Sequence, residues 1–511
     1  MTKIYKFLVL LMLILFAGSV TKVNAQLGLD PNNYSYLTYQ MGTSNYSNGA
    51  KSGVLPSVSS YNGYSSFLQN PAVMGMAKES DFTFSLINNN INEQSTFLGN
   101  STSESNNSFR LGEFGFVYKA PTYQGSFIIG AGYTTTDIYN RIDNSSAFNQ
   151  RSSITDYFAE PGSGFETLAF ETFAADYVTQ TSTSLTSIFR LDTGYRGLDQ
   201  DFIRRQSGRI GNYSAFISSE IAKSLYAGVS LGYSYGNHRF QNSFLEVDLQ
   251  NNYNRELIPS SRAGQFTDVE SLEFTEDLES LHYGFDLRAG VALDMNFLKI
   301  GSSIYLPFLM RIEEDYYTSL QNNLDDGSEP FFFEEDYGIF KYRLRRPTEY
   351  QFGLSLGPAA GVEISASARY RDFTELEVDF VSDSDGDGLE RITLARDQQR
   401  VNEQIRDLYQ STMDYRLGLK YSMNDNTELY GGYAYSPSPS TEFEVIRTQI
   451  SAGFEYDLSP EWSFTFGGQY TVWNDRSVLY EFDNNTSVIS EQTSLRSQLF
   501  NVIAGIRYTF R

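Results

Sequence analysis

The sequence predicts an all-β fold, a 14-stranded antiparallel transmembrane β-barrel with an N-terminal plug. Three observations carry this. Beyond the first 25 residues no apolar run is long enough for a membrane helix, so a membrane could be crossed only by a closed barrel. Segments that alternate apolar and polar residues run well past the five or six residues usual for a soluble strand. Short and long connections between those segments alternate along the chain, as they do in barrels with short turns on one side of a membrane and long loops on the other.

Residues 1–25 place Lys3 and Lys6 before an apolar run from Phe7 to Ala17 and end on Val23-Asn24-Ala25, the pattern of a secretory signal peptide with the mature chain starting at Gln26. A retained anchor needs about 20 apolar residues, more than this run supplies. Composition points the same way. The chain has 37 Tyr, 39 Phe and 40 Gly, which suits aromatic girdles on one face of a sheet and small residues on a crowded other face. With no Cys, an exported chain of this length is not a disulfide scaffold. The formal charge of -24 leaves no electrostatic reason to bind nucleic acid.

Residues 26–80 show no strand-length alternation and are full of turn formers, as in "GTSNYSNGAKSG" and "SYNGYSS". Their apolar residues, among them Val54, Leu55, Tyr64, Phe67 and Met74, are too many for a disordered tail and too few for a separate core. A barrel of fourteen strands is wider than its own side chains can fill, so this segment is expected inside it, as a plug. Pro71 restricts Asn70 to extended backbone, and Asn70-Pro71-Ala72 is read as the reversal from lumen into wall.

Residues 81–511 form the barrel. The clearest strand is 281–295, where Leu281, Tyr283, Phe285, Leu287, Ala289, Val291, Leu293 and Met295 alternate with polar or small residues. The same pattern places strands near 81–90, 109–119, 125–140, 211–222, 225–247, 281–295, 298–316, 342–357, 362–380, 412–423, 427–436, 445–458, 461–481 and 494–511. Short links such as "AKS", "NF" and "NDN" alternate with long ones near 91–108, 141–210, 248–280, 317–341, 381–411, 437–444 and 482–493. An even strand number with short turns inside places both barrel ends in the periplasm. The last segment, "FNVIAGIRYTFR", resembles the aromatic-terminated strand that such barrels present to the barrel assembly machinery, with Arg511 as an added residue.

The stretch "YSSFLQNPAVMGM" resembles the hatch segment of the outer-membrane long-chain fatty acid transporter family (FadL/TodX-like), in which a Ser-rich run leads to Asn-Pro-Ala just before the first strand. The matching residues are Asn70, Pro71 and Ala72. The resemblance implies a plugged barrel in the outer membrane of a Gram-negative bacterium, a channel for passive uptake of hydrophobic small molecules such as long-chain fatty acids or aromatic hydrocarbons. It implies no ATP and no redox cofactor. The expected surroundings are outer-membrane lipids and lipopolysaccharide, the chain acting as a monomer. Two loop segments are amphipathic at helical spacing, one with Phe165, Leu168, Ala169 and Phe173, the other with Val401, Ile405, Leu408 and Tyr409. In the family such helices form an apolar landing site for ligand; packing between loops is the alternative. A general diffusion porin for small polar solutes, with an open lumen, and a barrel whose loops serve adhesion are the other functions this architecture allows.

With the apolar face toward lipid, Asp286, Arg288, Glu363, Arg369, Arg371, Asp414, Arg416, Lys420, Arg447, Glu455 and Arg507 point inward. Mixed signs on neighbouring strands predict ion pairs that stiffen the wall or fasten the plug, and an inward Arg also suits a ligand carboxylate. "DSDGDGLE" sets Asp383, Asp385 and Asp387 at alternate positions before Gly388, as in the first half of a calcium loop, but the twelfth position is Leu394. A solvated acidic turn is the competing reading, and calcium is the single cofactor the sequence raises. His238 and His282 are the only imidazoles and sit in no catalytic motif, so no enzyme is expected.

Overall fold

In a computed structural model the described residues are 49–510, apart from 179–180, 192–193, 254–255, 258–265, 268, 326–328, 385–387, 443 and 485–486. The signal peptide and the plug residues assigned to 26–48 lie outside them. Seventeen strands form one antiparallel sheet that closes on itself, its first strand pairing with its last from Ser80↔Phe510 onward. Three neighbouring positions in the wall are each built from two collinear strands, so the wall has fourteen positions.

They are β1 Ser80–Phe97, β2 Asn100–Ala120, β3 Phe127–Asn149, β4 Leu198–Ala222, β5 Leu225–Val247 and β6 Val269–Asp294. The interrupted ones follow: β7 is Leu298–Pro307 with Met310–Leu324, β8 is Phe331–Arg345 with Glu349–Ala359, and β9 is Val362–Asp372 with Glu377–Asp379. The circuit closes through β10 Ser411–Asn424, β11 Thr427–Ser436, β12 Arg447–Asp457, β13 Trp462–Asp483 and β14 Val488–Phe510.

Period-two alternation settles which face meets lipid. On β5, Val229, Leu231 and Tyr235 are exposed while Gly228, Ser230, Ser234 and His238 are buried. Where the outer residues become aromatic, rings from adjacent strands meet, as in Phe114–Tyr133, Tyr133–Tyr213 and Tyr233–Phe285, with centroids 4.9–6.0 Å apart.

Several strands run further than the alternation indicates. β1 and β2 meet in a hairpin at Leu98-Gly99, both with positive φ, where a long loop over 91–108 is expected from the sequence. The expected loops at 317–341 and 482–493 likewise shrink to 325–330 and 484–487. The reason is physical: beyond the lipid both faces of a strand are wet, so "NNNINEQST" and "STSESNNS" carry no apolar face to read. Long connections remain at 150–197, 248–268, 380–410 and 437–446. They carry helices α1 Ile154–Phe158, α2 Glu166–Glu171 and α3 Gly388–Leu408.

Candidate functional site

Inside the lumen, at the short-turn end, lies the segment whose described part begins at Gly49. Its backbone is held by inward-facing side chains on opposite sides of the wall: Ser451 Oγ donates to the Val54 carbonyl at 2.6 Å, Gln469 Nε2 to Gly53 at 2.8 Å, and Ser218 Oγ to Ala72 at 2.9 Å. Ser60 donates to Glu363 at 2.7 Å, and Arg416 donates to the side chain of Gln69. Lys51 reaches Glu455 at 3.2 Å and also pairs with Glu428. Burial works against the Lys51 ammonium, but these carboxylates outweigh it and hold its pKa above the ordinary value.

Wall glycines make this packing possible. A Cβ on Gly290 would fall 2.0 Å from Asn70 Oδ1, one on Gly228 2.5 Å from the Pro71 carbonyl, and one on Gly301 2.0 Å from the Val58 carbonyl. The plug residues therefore lie directly on the strand backbone, where no larger side chain fits.

Asn70 organises this contact. Its Oδ1 accepts from Ala72 N at 2.9 Å, capping a short 3-10 helix over Pro71–Met76 with proline in its first turn. Its Nδ2 donates to Val58 at 2.8 Å and to Val291 of β6 at 3.1 Å. At the triplet, expected as the reversal from lumen into wall, the chain enters a 3-10 turn over Pro71–Met76, and the first strand follows at Ser80, where the sequence puts the boundary.

Above the segment lies a layer of paired charges. Arg369 and Arg371 share Asp414, at 2.6 and 2.9 Å, and Glu349 lies 3.6 Å from Arg369. Arg288 pairs with Asp286 and stacks 4.3 Å from the Tyr305 ring, while Asn212 donates to Asp286 at 2.6 Å. Arg447 lies 5.3 Å from the Trp473 ring. Most of these inward charges are engaged with one another rather than held in reserve for a ligand carboxylate.

The loop residues close the other end. Phe165 packs against Phe158 and Phe274 at 5.1 and 5.4 Å, and Leu168 is fully buried in the same cluster. Phe173 meets Phe331 at 4.5 Å. Ile405 is buried beneath α3 with Leu408 at its margin. In this structure Phe165, Leu168 and Ile405 are buried in packing between loops and strand ends. Asp383 accepts from Nη2 and Nε of Arg343, at 2.7 and 3.0 Å, whereas Asp385 and Asp387 lie outside the described residues. Gly388–Leu408 is helical, which turns Leu394, the twelfth position of the expected calcium loop, into the apolar cluster.

One feature escaped the sequence reading. β2 and β3 pair only from Glu113↔Thr134 to Ala120↔Phe127. Beyond Thr135 a bulge against β4 redirects β3, which keeps its pairing with β4 as far as Asn149↔Leu198 but turns inward from β2. There Arg141 pairs with Glu93 of β1 at 2.7 Å and Asp475 of β13 at 3.2 Å, and Asp143 accepts from Ser95 and from Thr493. The residues of β2 before Glu113 keep their bonds to β1 and lose them to β3. Side chains bridge the opening: Asn144 donates to Glu104 at 2.8 Å and Asn100 to the Ser146 carbonyl at 3.1 Å. Phe109, 65% exposed, stands beside it. The signal was present as a fading of alternation in "NSTSESNNSF" and in the Thr134-Thr135-Thr136 run.

A closed fourteen-position antiparallel barrel, with residues from Gly49 to Ala77 packed on its inner face and β2 and β3 paired over only part of their length, defines the fold class. Its fold is FadL/TodX-like. The P. putida toluene transporter TodX is 15% identical, with 91% of this chain and 98% of that chain covered and a TM-score of 0.50. A Pseudomonas aeruginosa FadL homologue is 11% identical, with 92% and 99% covered and a TM-score of 0.51. No protein-family model matches the sequence, and no curated protein matches it either.

Proposed function

We propose that this chain is an outer-membrane channel for passive uptake of hydrophobic small molecules, of the kind represented by long-chain fatty acids and aromatic hydrocarbons. The observation that carries this is the seam between β2 and β3. A polar solute needs a continuous aqueous path, and here the lumen is occupied from Gly49 to the loop clusters. An apolar solute needs only a way out of the lumen into lipid, and a wall whose strands part beside Phe109 supplies it. The end of the seam nearest the lipid-facing belt is the exit in this reading: there Phe109 is exposed and the Thr135 hydroxyl donates to the Leu111 carbonyl at 2.6 Å, so a polar group freed by the parting finds a partner. The fold neighbours named as a toluene transporter and a FadL homologue support the same reading.

Purified protein in a planar bilayer and in proteoliposomes tests it. Saturable entry of a long-chain fatty acid or toluene with negligible steady ion conductance is expected. Large steady conductance without such entry contradicts the proposal and favours a porin.

A further inference from the structure

Where β3 turns inward, the strands on either side of it bring two cations together. Arg110 of β2 and Arg209 of β4 line one cleft of about 730 Å³ in the outer side of the wall. The full charge that acts on Arg110 is a second guanidinium, that of Arg209. Neither forms an ion pair among the described residues, and Arg110 Nε is buried there without a hydrogen-bond partner. Arg239, which lines the same cleft, differs: it donates to Asp277 at 3.0 Å and lies 3.1 Å from Glu279. Two like charges held together without a counter-charge repel, and an anion between them removes that cost. Guanidinium groups suit phosphate in particular, because their paired N–H donors match its oxygens.

The depth of the cleft says where the anion comes from. Arg209, Asn237 and Leu281 stand side by side on β4, β5 and β6. Four residues along each strand, about 13 Å at the usual rise, come Tyr213, Tyr233 and Phe285. These belong to the band where rings of adjacent strands meet on the lipid-facing side. Aromatic bands of this kind mark the membrane interface, and the cleft lies just beyond one, toward the long connections. That is the level of the lipid headgroups in the outer leaflet. Leu281 and Ile339 line the cleft as well, and Ile339 is 67% exposed. An apolar border suits the upper part of an acyl chain, whereas a free phosphate has no use for it.

We propose that Arg110 and Arg209 seat a phosphate of an outer-leaflet lipid, the phosphorylated head of lipopolysaccharide, and that the bound lipid joins β2 to β4 across the outside of the seam. The site depends on the barrel and its place in the membrane, not on what the channel carries. Full-length protein in detergent micelles, titrated with bis-phosphorylated lipid A, a phosphate-free glycolipid of equal chain length and inorganic phosphate, tests it by native mass spectrometry and unfolding temperature. Lipid A is expected to bind at least about tenfold more tightly than the other two and to raise the unfolding temperature. R110Q and R209Q should each lose that preference, and R209K should keep part of it. Arg209 is exposed, so its variants report on binding even if R110Q fails to fold. R496Q removes an exposed guanidinium of β14 that lines a different cleft, and should leave lipid A binding unchanged.

Undiminished lipid A binding in R209Q would overturn the site. An equal loss in R496Q would show general surface attraction and overturn it too. Inorganic phosphate that matches lipid A would show a free-anion site in place of a lipid one.

Discussion

Arg141 on β3 pairs with Glu93 on β1 at 2.7 Å, passing behind β2, the strand that lies between theirs in the sheet. Such a contact exists because β3, still paired with β4, has turned inward from β2. Glu93 is almost wholly buried, and it also accepts from Ile142 N at 2.6 Å and from Ser497 at 2.7 Å. This cluster fixes β3 to β1 and β14 on the inner side of β2.

Removing one partner leaves a buried carboxylate unpaired. R141A is therefore expected to cost about 3–5 kcal/mol of stability, read as a fall in the unfolding temperature, and to let β3 drift from β1. Its uptake rate should change while its ion conductance stays low. An unchanged unfolding temperature would show that the pair contributes nothing.

At Gly290 a single methyl group meets Asn70 Oδ1 at 2.0 Å. G290A should destabilise by about 1–3 kcal/mol through overpacking and raise conductance by displacing the segment from the wall. G468A is the control, since its Cβ meets nothing nearer than 3.6 Å. Equal behaviour of the two variants would argue against close seating of the segment.

N70A removes a cap and two donor bonds at once. Loss of the cap alone is worth about 0.5–2 kcal/mol. The expected outcome is faster proteolysis between Gly49 and Ala77 with the wall intact. Deleting 26–69 should go further and raise conductance in planar bilayers, and no rise would count against a plug.

Asp383 sits outside the membrane strands, and the bidentate hydrogen bond from Arg343 holds its carboxyl below the ordinary value of 3.8. A depressed folded pKa means that its stabilising contribution is present above the unfolded value and is lost as pH falls through the folded one. The chain around Asp383 is expected to resist proteolysis at pH 5 and to become cleavable only as pH falls below the ordinary Asp range, under about pH 4. D383N should be cleavable at neutral pH. Cleavage independent of pH would show that the pair does not secure the loop.

All fourteen wall positions were legible in the sequence, because lipid on one face and a crowded lumen on the other write a period of two into every strand. Leu417 and Leu419 against Arg416 and Gly418 show it plainly, and the inner position of Asp286, Arg369 and Asp414 followed from the same rule. Three things were not legible. Strand ends beyond the lipid carry no contrast between faces, which hid the Leu98-Gly99 hairpin. Asn70-Pro71-Ala72 reads equally well as a reversal or as a capped first turn, and the cap from Asn70 Oδ1 to Ala72 N is visible only in the structure. The inward path of β3 depends on Glu93 and Asp475, far from Arg141 in sequence, so no local pattern announces it.

The seam can be locked directly. Glu104 and Asn144 face each other across it at 2.8 Å, and the chain has no cysteine of its own. In E104C/N144C, joined by a short thiol-reactive crosslinker in proteoliposomes, uptake of the hydrophobic probe should fall to the level of protein-free vesicles. A cleavable linker should restore it on reduction, and E104C alone should be unaffected by the reagent. Uptake that continues unchanged through a fully crosslinked seam would contradict lateral release between β2 and β3.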